Sequence, residues 1–414
     1  MPVLIDNKED IMDLTERFLK YVAVYTHSAK DVKKDPTTER QWDLAKILVE
    51  DLKEIGCADA RVDEWCRVYA TCPASPGWED VPAIGFVAHM DTVVDAPGDN
   101  IKPRIVHYEG GDIVLSEGIV TSPKDFPFMD KYIGHDLIVT DGTTLLGADD
   151  KAGIAEIMDM VQRFQQHPEI GHRKVAICFT PDEEVGRGPL HFDYEGFGAK
   201  MGYTVDGGAL GGVCYETFNA ANGVITIKGF NIHPGSAKNK MKNAVKIAAR
   251  FITMLPDAES PEHTEGFEGY YHVGDIEGSE SGARMHIIVR DHDRAKFEAR
   301  KAFVHNLVDY LNSVYGEGTV TLELEDVYYN MKEMILPHME LIDNAMKAME
   351  SVGATPRIEA ARGGTDGATF SYGGMPCPNL STGGENAHGV KEFASINDMK
   401  KMVDVLQYIA CSRE

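Results

Sequence analysis

The sequence predicts an α/β protein: a mixed, mostly parallel sheet flanked by helices, interrupted by a smaller inserted domain. Three observations carry this. Short apolar runs without alternation, such as Ala83–His89 and Lys174–Thr180, are interleaved with amphipathic helical segments, the pattern of strands buried on both faces. From about Phe218 to Val327 the rhythm changes to βαββαβ, the ferredoxin-like split unit. The 414 residues also exceed one ordinary core. The α/β pattern resumes after the insertion, so the larger domain is discontinuous, at 1–216 and 329–414, with the insertion at 217–328.

The elements follow in order. Ile11, Leu14, Phe18, Tyr21 and Val22 recur at helical spacing over about Asp10–Thr26. Thr38 opens a second helix with Leu44, Ile47, Leu48, Leu52 and Ile55 on one face, and Gly56 suits its stop. Ala83–His89 reads as a buried strand, Ala152–Phe164 as a helix, and Lys174–Thr180 and Met201–Val205 as further strands. In the insertion, Gly223–Gly229, Gly269–Ile276, Arg284–Arg290 and Thr319–Asp326 read as strands. Asn243–Leu255 and Asp293–Val314 are its helices. Leu341–Ser351 and Asn397–Ile409 are helices of the resumed domain.

Composition narrows the class. A net charge of -25 argues against a nucleic-acid partner, which needs basic patches. Apolar runs fall short of the roughly 20 residues of a membrane span. The seven cysteines form no Cys-x-x-Cys pair and no secretory signal opens the chain, so a reduced, cytoplasmic protein is expected.

Five acidic or histidine motifs lie far apart, most where a strand is expected to end. They are His89-Met90-Asp91-Thr92, Gly147-Ala148-Asp149-Asp150-Lys151, Asp182-Glu183-Glu184, Val205-Asp206-Gly207-Gly208, and Glu385-Asn386-Ala387-His388-Gly389. Loops at the carboxyl ends of strands are where open α/β sheets place ligands. Zinc takes histidine nitrogen and carboxylate oxygen, and two zinc ions need a shared carboxylate plus terminal ligands on each. His89, His388, Glu184, Asp206 and a bridging Asp149 supply that number. Asp91, on the same side of an extended segment as His89, suits an orienting partner. Glu183 adjoins Glu184 and suits a general base for the attacking water. Lys151 is expected to be structural, paired with neighbouring carboxylates.

This order of motifs resembles the M20 family of dizinc metallopeptidases, nearest its aminotripeptidase branch. The strings AHMDTVVDAPG, TLLGADDKAGIAEI, FTPDEEVGRG, GYTVDGG, NIHPGSAKNKMKNA, ARGGTDGATFSYGGMPCPNLSTGG and ENAHGVKEF carry the resemblance from residue 88 to 393. It implies His89, Asp149 and Asp206 on one zinc and Asp149, Glu184 and His388 on the other. It also implies Asp91 as the orienter of His89, Glu183 as base, and a cis Asp149–Asp150 peptide. The insertion would be a lid and dimerisation domain, giving a homodimer. His233 would polarise the scissile carbonyl, Arg290 would hold the substrate carboxylate, and Gly364 would lie in a loop against the substrate. The activity implied is release of the N-terminal residue from tripeptides. A dipeptidase, or a deacylase of N-acyl amino acids, is the alternative.

Overall fold

The structure, a computed structural model, describes residues 12–413. In chain order its elements begin with α1 (Leu14–Val22), α2 (Gln41–Glu54), β1 (Arg61–Val62), β2 (Val68–Cys72), β3 (Ile84–His89), β4 (Arg104–His107), β5 (Ile113–Ser116), β6 (Ile119–Thr121) and β7 (Asp136–Val139). Then come α3 (Ala148–Gln166), β8 (Val175–Thr180), α4 (Tyr194–Phe197), β9 (Gly202–Gly207), β10 (Gly212–Glu216), β11 (Asn219–Lys228), α5 (Ala244–Met254), β12 (Tyr270–Ser279), β13 (Gly282–Asp291), α6 (Arg294–Tyr315) and β14 (Val320–Tyr328). The last are α7 (Lys332–Ile335), α8 (Glu340–Ser351), β15 (Arg357–Ala360), α9 (Asp366–Tyr372), β16 (Asn379–Ser381), β17 (Gly384–Glu385), β18 (Phe393–Ser395) and α10 (Ile396–Ala410).

Two compact units result. The first holds Met1–Tyr215, Met334–Glu359 and Thr365–Glu414; the second holds Glu216–Glu333 and Ala360–Gly364.

In the first unit, eight strands form a sheet in the order β1-β2-β8-β3-β9-β16-β10-β15. Its centre is parallel, β8 to β3 to β9 to β16, while β1–β2, β2–β8 and β10–β16 pair antiparallel. The mixed sheet, with its parallel centre, matches the expected fold class. β3 and β8 are buried at every position, which is why their sequences run apolar without alternation. Helix α3 is buried nearly all round. Gly153 lets it close on the sheet, since a Cβ there would stand 1.9 Å from the Val205 carbonyl oxygen. A second sheet, β17-β18-β7-β4, and the hairpin β5–β6 lie outside the expected elements. Their strands are only two to four residues long, too short to leave a periodic signal.

Three helix starts differ from the sequence reading by several residues: α3 begins at Ala148 rather than Ala152, and α1 and α2 begin later than expected. Asp13 caps α1 through a capping box with Glu16, so the helix begins at Leu14 and ends at Val22. Asp10 and Ile11 of the expected segment lie outside the described residues. Helix α2 begins at Gln41 rather than Thr38, because Thr38 donates its hydroxyl to the His27 carbonyl and stays outside the helix.

The second unit is an antiparallel sheet, β12-β13-β11-β14, and its chain order is β11-α5-β12-β13-α6-β14. That is the split βαβ order expected. Ile225, Ile227, Phe251, Met285, Phe297 and Leu311 lie in its own core.

Candidate metal centre

The five motifs converge at the carboxyl ends of the central strands of the first unit. His89 is the last residue of β3, and Asp206 lies at the end of β9. Glu183 and Glu184 form a short 3-10 turn after β8, between Asp182 and Gly186, both in left-handed conformation. Asp149 stands at the start of α3, after Gly147 at φ +78, and the Asp149–Asp150 peptide is cis. His388 sits at φ +66 in the loop between β17 and β18.

Asp149 is the meeting point. Its Oδ1 lies 2.8 Å from His89 Nε2, and its Oδ2 lies 3.1 Å from His388 Nε2. His89 Nε2 also approaches Asp206 Oδ1 at 3.4 Å, and His388 Nε2 approaches Glu184 Oε2 at 3.1 Å. One carboxylate therefore faces two sets, His89 with Asp206 and His388 with Glu184. Glu184 Oε1 is buried without a hydrogen-bond partner among the described residues. Ligand atoms of His89, Asp149 and Glu184 lie within 4.8 Å of one another. An orphaned buried carboxylate oxygen beside two imidazoles is a donor set that fits a divalent cation.

The electrostatics are those of crowded acids. Burial raises Glu184 to about 7 and Asp206 to about 6. Burial also raises Glu183, and the nearby Asp206 and Asp366 carboxyls push it further. Asp149 is pulled the other way: although burial opposes it, hydrogen bonds from His388 and His89 hold it below the usual carboxylate range. The same bonds, to Asp149 first and then Glu184, raise His388 to about 11.

Around this set lies a scaffold, part of which the sequence did not reveal. Asp91 accepts the backbone N–H groups of Glu183 and Glu184, while its own carbonyl oxygen lies 3.1 Å from His89 Nδ1. Asp150 takes the N–H of His89 at 3.0 Å. Asp182 accepts from the Thr37 backbone and the Gln41 amide, both at 2.7 Å. Glu392 is buried and accepts the N–H groups of Leu146, Gly147 and Asp149 at 2.7, 2.7 and 3.1 Å. The signal for Glu392 was its place four residues after His388. Lys151 is structural, but it donates to the Val24 carbonyl at 2.8 Å, and burial lowers it to about 7. A cavity of about 190 Å³ opens beside Asp149 and Asp206, walled by Gly207, Gly208, Thr382 and Glu385.

The remaining three expected residues belong to the second unit. His233 Nδ1 accepts the Gly235 N–H at 3.1 Å. Arg290 donates to the carbonyls of Ala221 and Val289 and to Asn222 Oδ1, with its guanidinium 5.7 Å from the Tyr328 ring centre. Gly364 packs on that ring; a Cβ there would lie 2.9 Å from it.

The chain is similar to known peptidases over nearly its whole length. Residues 215–319 match the peptidase dimerisation domain of M20. The chain is 52% identical over 397 residues to peptidase T of Geobacillus kaustophilus, covering 95% of this chain and 96% of that one. It is 52% identical over 401 residues to peptidase T of Exiguobacterium sibiricum, covering 96% and 97%. Its fold is similar to the crystal structure of aminopeptidase PepT from Bacillus cereus, with a TM-score of 0.77 at 24% identity over 96% and 97% of the chains. It is also similar to a dinuclear metal-binding M20 peptidase of Bacillus subtilis, with a TM-score of 0.64 at 14% identity over 96% of each chain. Fold and site together thus define an M20 metallopeptidase, a hydrolase of peptide bonds. Within that class the chain belongs to the peptidase T family.

Proposed function

We propose that the chain is a cytoplasmic aminopeptidase that releases the N-terminal residue of tripeptides and works with two zinc ions per subunit. The observation that carries this reading is the division of the Asp149 carboxylate between His89 and His388. In it, His89, Asp149 and Asp206 hold one ion, and Asp149, Glu184 and His388 hold the other. When bound, zinc polarises the scissile carbonyl and lowers the pKa of water.

The chain's own residues do the rest. Glu183 takes the proton of the attacking water and passes it to the leaving amine. Asp91 holds the turn that carries Glu183. His233 stabilises the developing oxyanion, and Arg290, by its fixed fork of donors, holds the substrate's C-terminal carboxylate. The Gly364 loop lies along the substrate backbone. The second unit, matched to a dimerisation domain, pairs two copies of the chain.

The test is an assay of zinc-loaded protein on a matched dipeptide, tripeptide, tetrapeptide and N-acetyl tripeptide. Only the free tripeptide should be turned over well, with release of its first residue. Preferred cleavage of the N-acetyl substrate, or of the dipeptide, would replace the reading with a deacylase or a dipeptidase.

A further inference from the structure

The loop that carries His388 is gripped from a segment distant in sequence. Residues 386–392 connect β17 to β18, which pair at Glu385 with Phe393. Their conformation is not held by regular structure: Asn386 and His388 both have positive φ, at 57° and 66°. At the base of the loop stands Tyr132, 1% exposed. Its ring meets Phe393 edge-on with centroids 5.3 Å apart, and its hydroxyl donates to Glu385 Oε1 at 2.8 Å. The same oxygen receives Lys131 Nζ at 2.7 Å. Tyr132 therefore touches both strands that bracket the loop, one through packing and one through a hydrogen bond. The segment around it is fixed in turn, because β7 pairs with β18 through Val139 with Phe393.

We propose that Tyr132, assisted by Lys131, is a positioning residue for His388: by fixing Glu385 it sets the affinity of the metal position that His388 serves. A charge-assisted contact from Lys131 and a hydroxyl bond on the same oxygen of the partly buried Glu385 leave its side chain little freedom. Three residues on, His388 must present Nε2 to Asp149 and Glu184 together. Partners that orient a metal-binding histidine typically change metal affinity by about 10- to 100-fold when removed. His89 is oriented separately, by the Asp91 carbonyl, so the other position does not depend on this clamp.

The inference rests on the two-ion reading, and zinc titration of the demetallated full chain by calorimetry separates the two. The native chain should take up two ions; fewer than two overturns the two-ion reading itself, and the clamp with it. Tyr132→Phe keeps the ring on Phe393 and removes only the hydroxyl. It should weaken one of the two binding events by about 10- to 100-fold. The other event, and the unfolding midpoint of the metal-free protein, should stay as in the native chain. Lys131→Met should weaken the same event, and Lys131→Arg should restore it. Two native binding events in both Tyr132→Phe and Lys131→Met would overturn the proposal. Weakening of both events together with a lowered midpoint would overturn it too, by making the role structural only.

Discussion

Asp91 Oδ1 accepts the backbone N–H of Glu183 at 2.9 Å, and its second oxygen accepts that of Glu184 at 3.2 Å. The carboxylate is fully buried. Its Oδ1 is 3.4 Å from His89 Nδ1, farther than the Asp91 carbonyl oxygen at 3.1 Å. So the side chain chiefly organises the turn of two glutamates, and the main chain chiefly orients the histidine. Asp91→Ala leaves two N–H groups without their acceptor, each costing about 1–3 kcal/mol if it stays dry. The variant should show a lower unfolding midpoint by circular dichroism and a lower kcat. A native midpoint would mean that water takes the place of the carboxylate.

Glu183→Gln keeps the shape and removes the proton acceptor. Turnover should fall by ~10²–10⁴ while bound zinc, measured by elemental analysis, stays at the native level. Loss of metal instead would make Glu183 a ligand and exchange its role with that of Glu184.

Asp149 faces both histidines, whereas Asp206 approaches only His89. Asp149→Ala should therefore lose both ions, and Asp206→Ala should keep one. Elemental analysis after dialysis reads the difference. Chelation should abolish peptide hydrolysis and added zinc should restore it; full activity in thoroughly demetallated protein would rule out metal catalysis.

The pH dependence follows from the buried acids. Burial raises Glu184 and Glu392 to about 7 and Asp206 to about 6. A carboxyl raised by folding holds its proton more tightly folded than unfolded. Its contribution is complete below the ordinary carboxylate range and is lost as pH rises to its folded value. His388, raised to about 11 by its bonds to Asp149 and Glu184, acts in the same direction above its ordinary value. The unfolding midpoint of the metal-free protein should thus fall from about pH 5 to about pH 8. Zinc must displace the same protons, so its affinity should rise over that interval. Calorimetry in buffers of different ionisation enthalpy would count the protons released; a pH-independent affinity would refute the account.

Much of the centre was legible because buried parallel strands write themselves as unbroken apolar runs. Ile84–His89 and Val175–Thr180 end at His89 and just before Glu183 for that reason. The βαββαβ unit was legible because β11 alternates buried and exposed residues along most of its length. What escaped was whatever depends on distant pairing. Lys131 and Glu385 are 254 positions apart, and nothing local to either announces the contact. Glu392 was inside a quoted motif, yet its role needs the amides of residues 146–149, which only the fold brings to it. Lys151 was expected in an ion pair. Buried in the fold, it donates to a main-chain carbonyl instead.

Arg290 tests the proposed recognition of the substrate's C-terminus. Its guanidinium already donates to three oxygens of its own unit, which preorganises the fork. Arg290→Ala should weaken tripeptides far more than their C-terminal amides in kcat/KM. Equal losses on both would exclude a carboxylate-binding role.

Strand β16 lies between β9 and β10 in the eight-stranded sheet, although some 160 residues of chain separate it from β10. During synthesis at about 5–20 residues per second, that gap lasts on the order of ten to thirty seconds. For that time the sheet has a missing rung, and His388, a few residues beyond β16, has not been made. The nascent chain can already display His89, Asp149, Glu184 and Asp206, but not the histidine that closes the set. The full set of five therefore comes together only after the last of the central strands has been made.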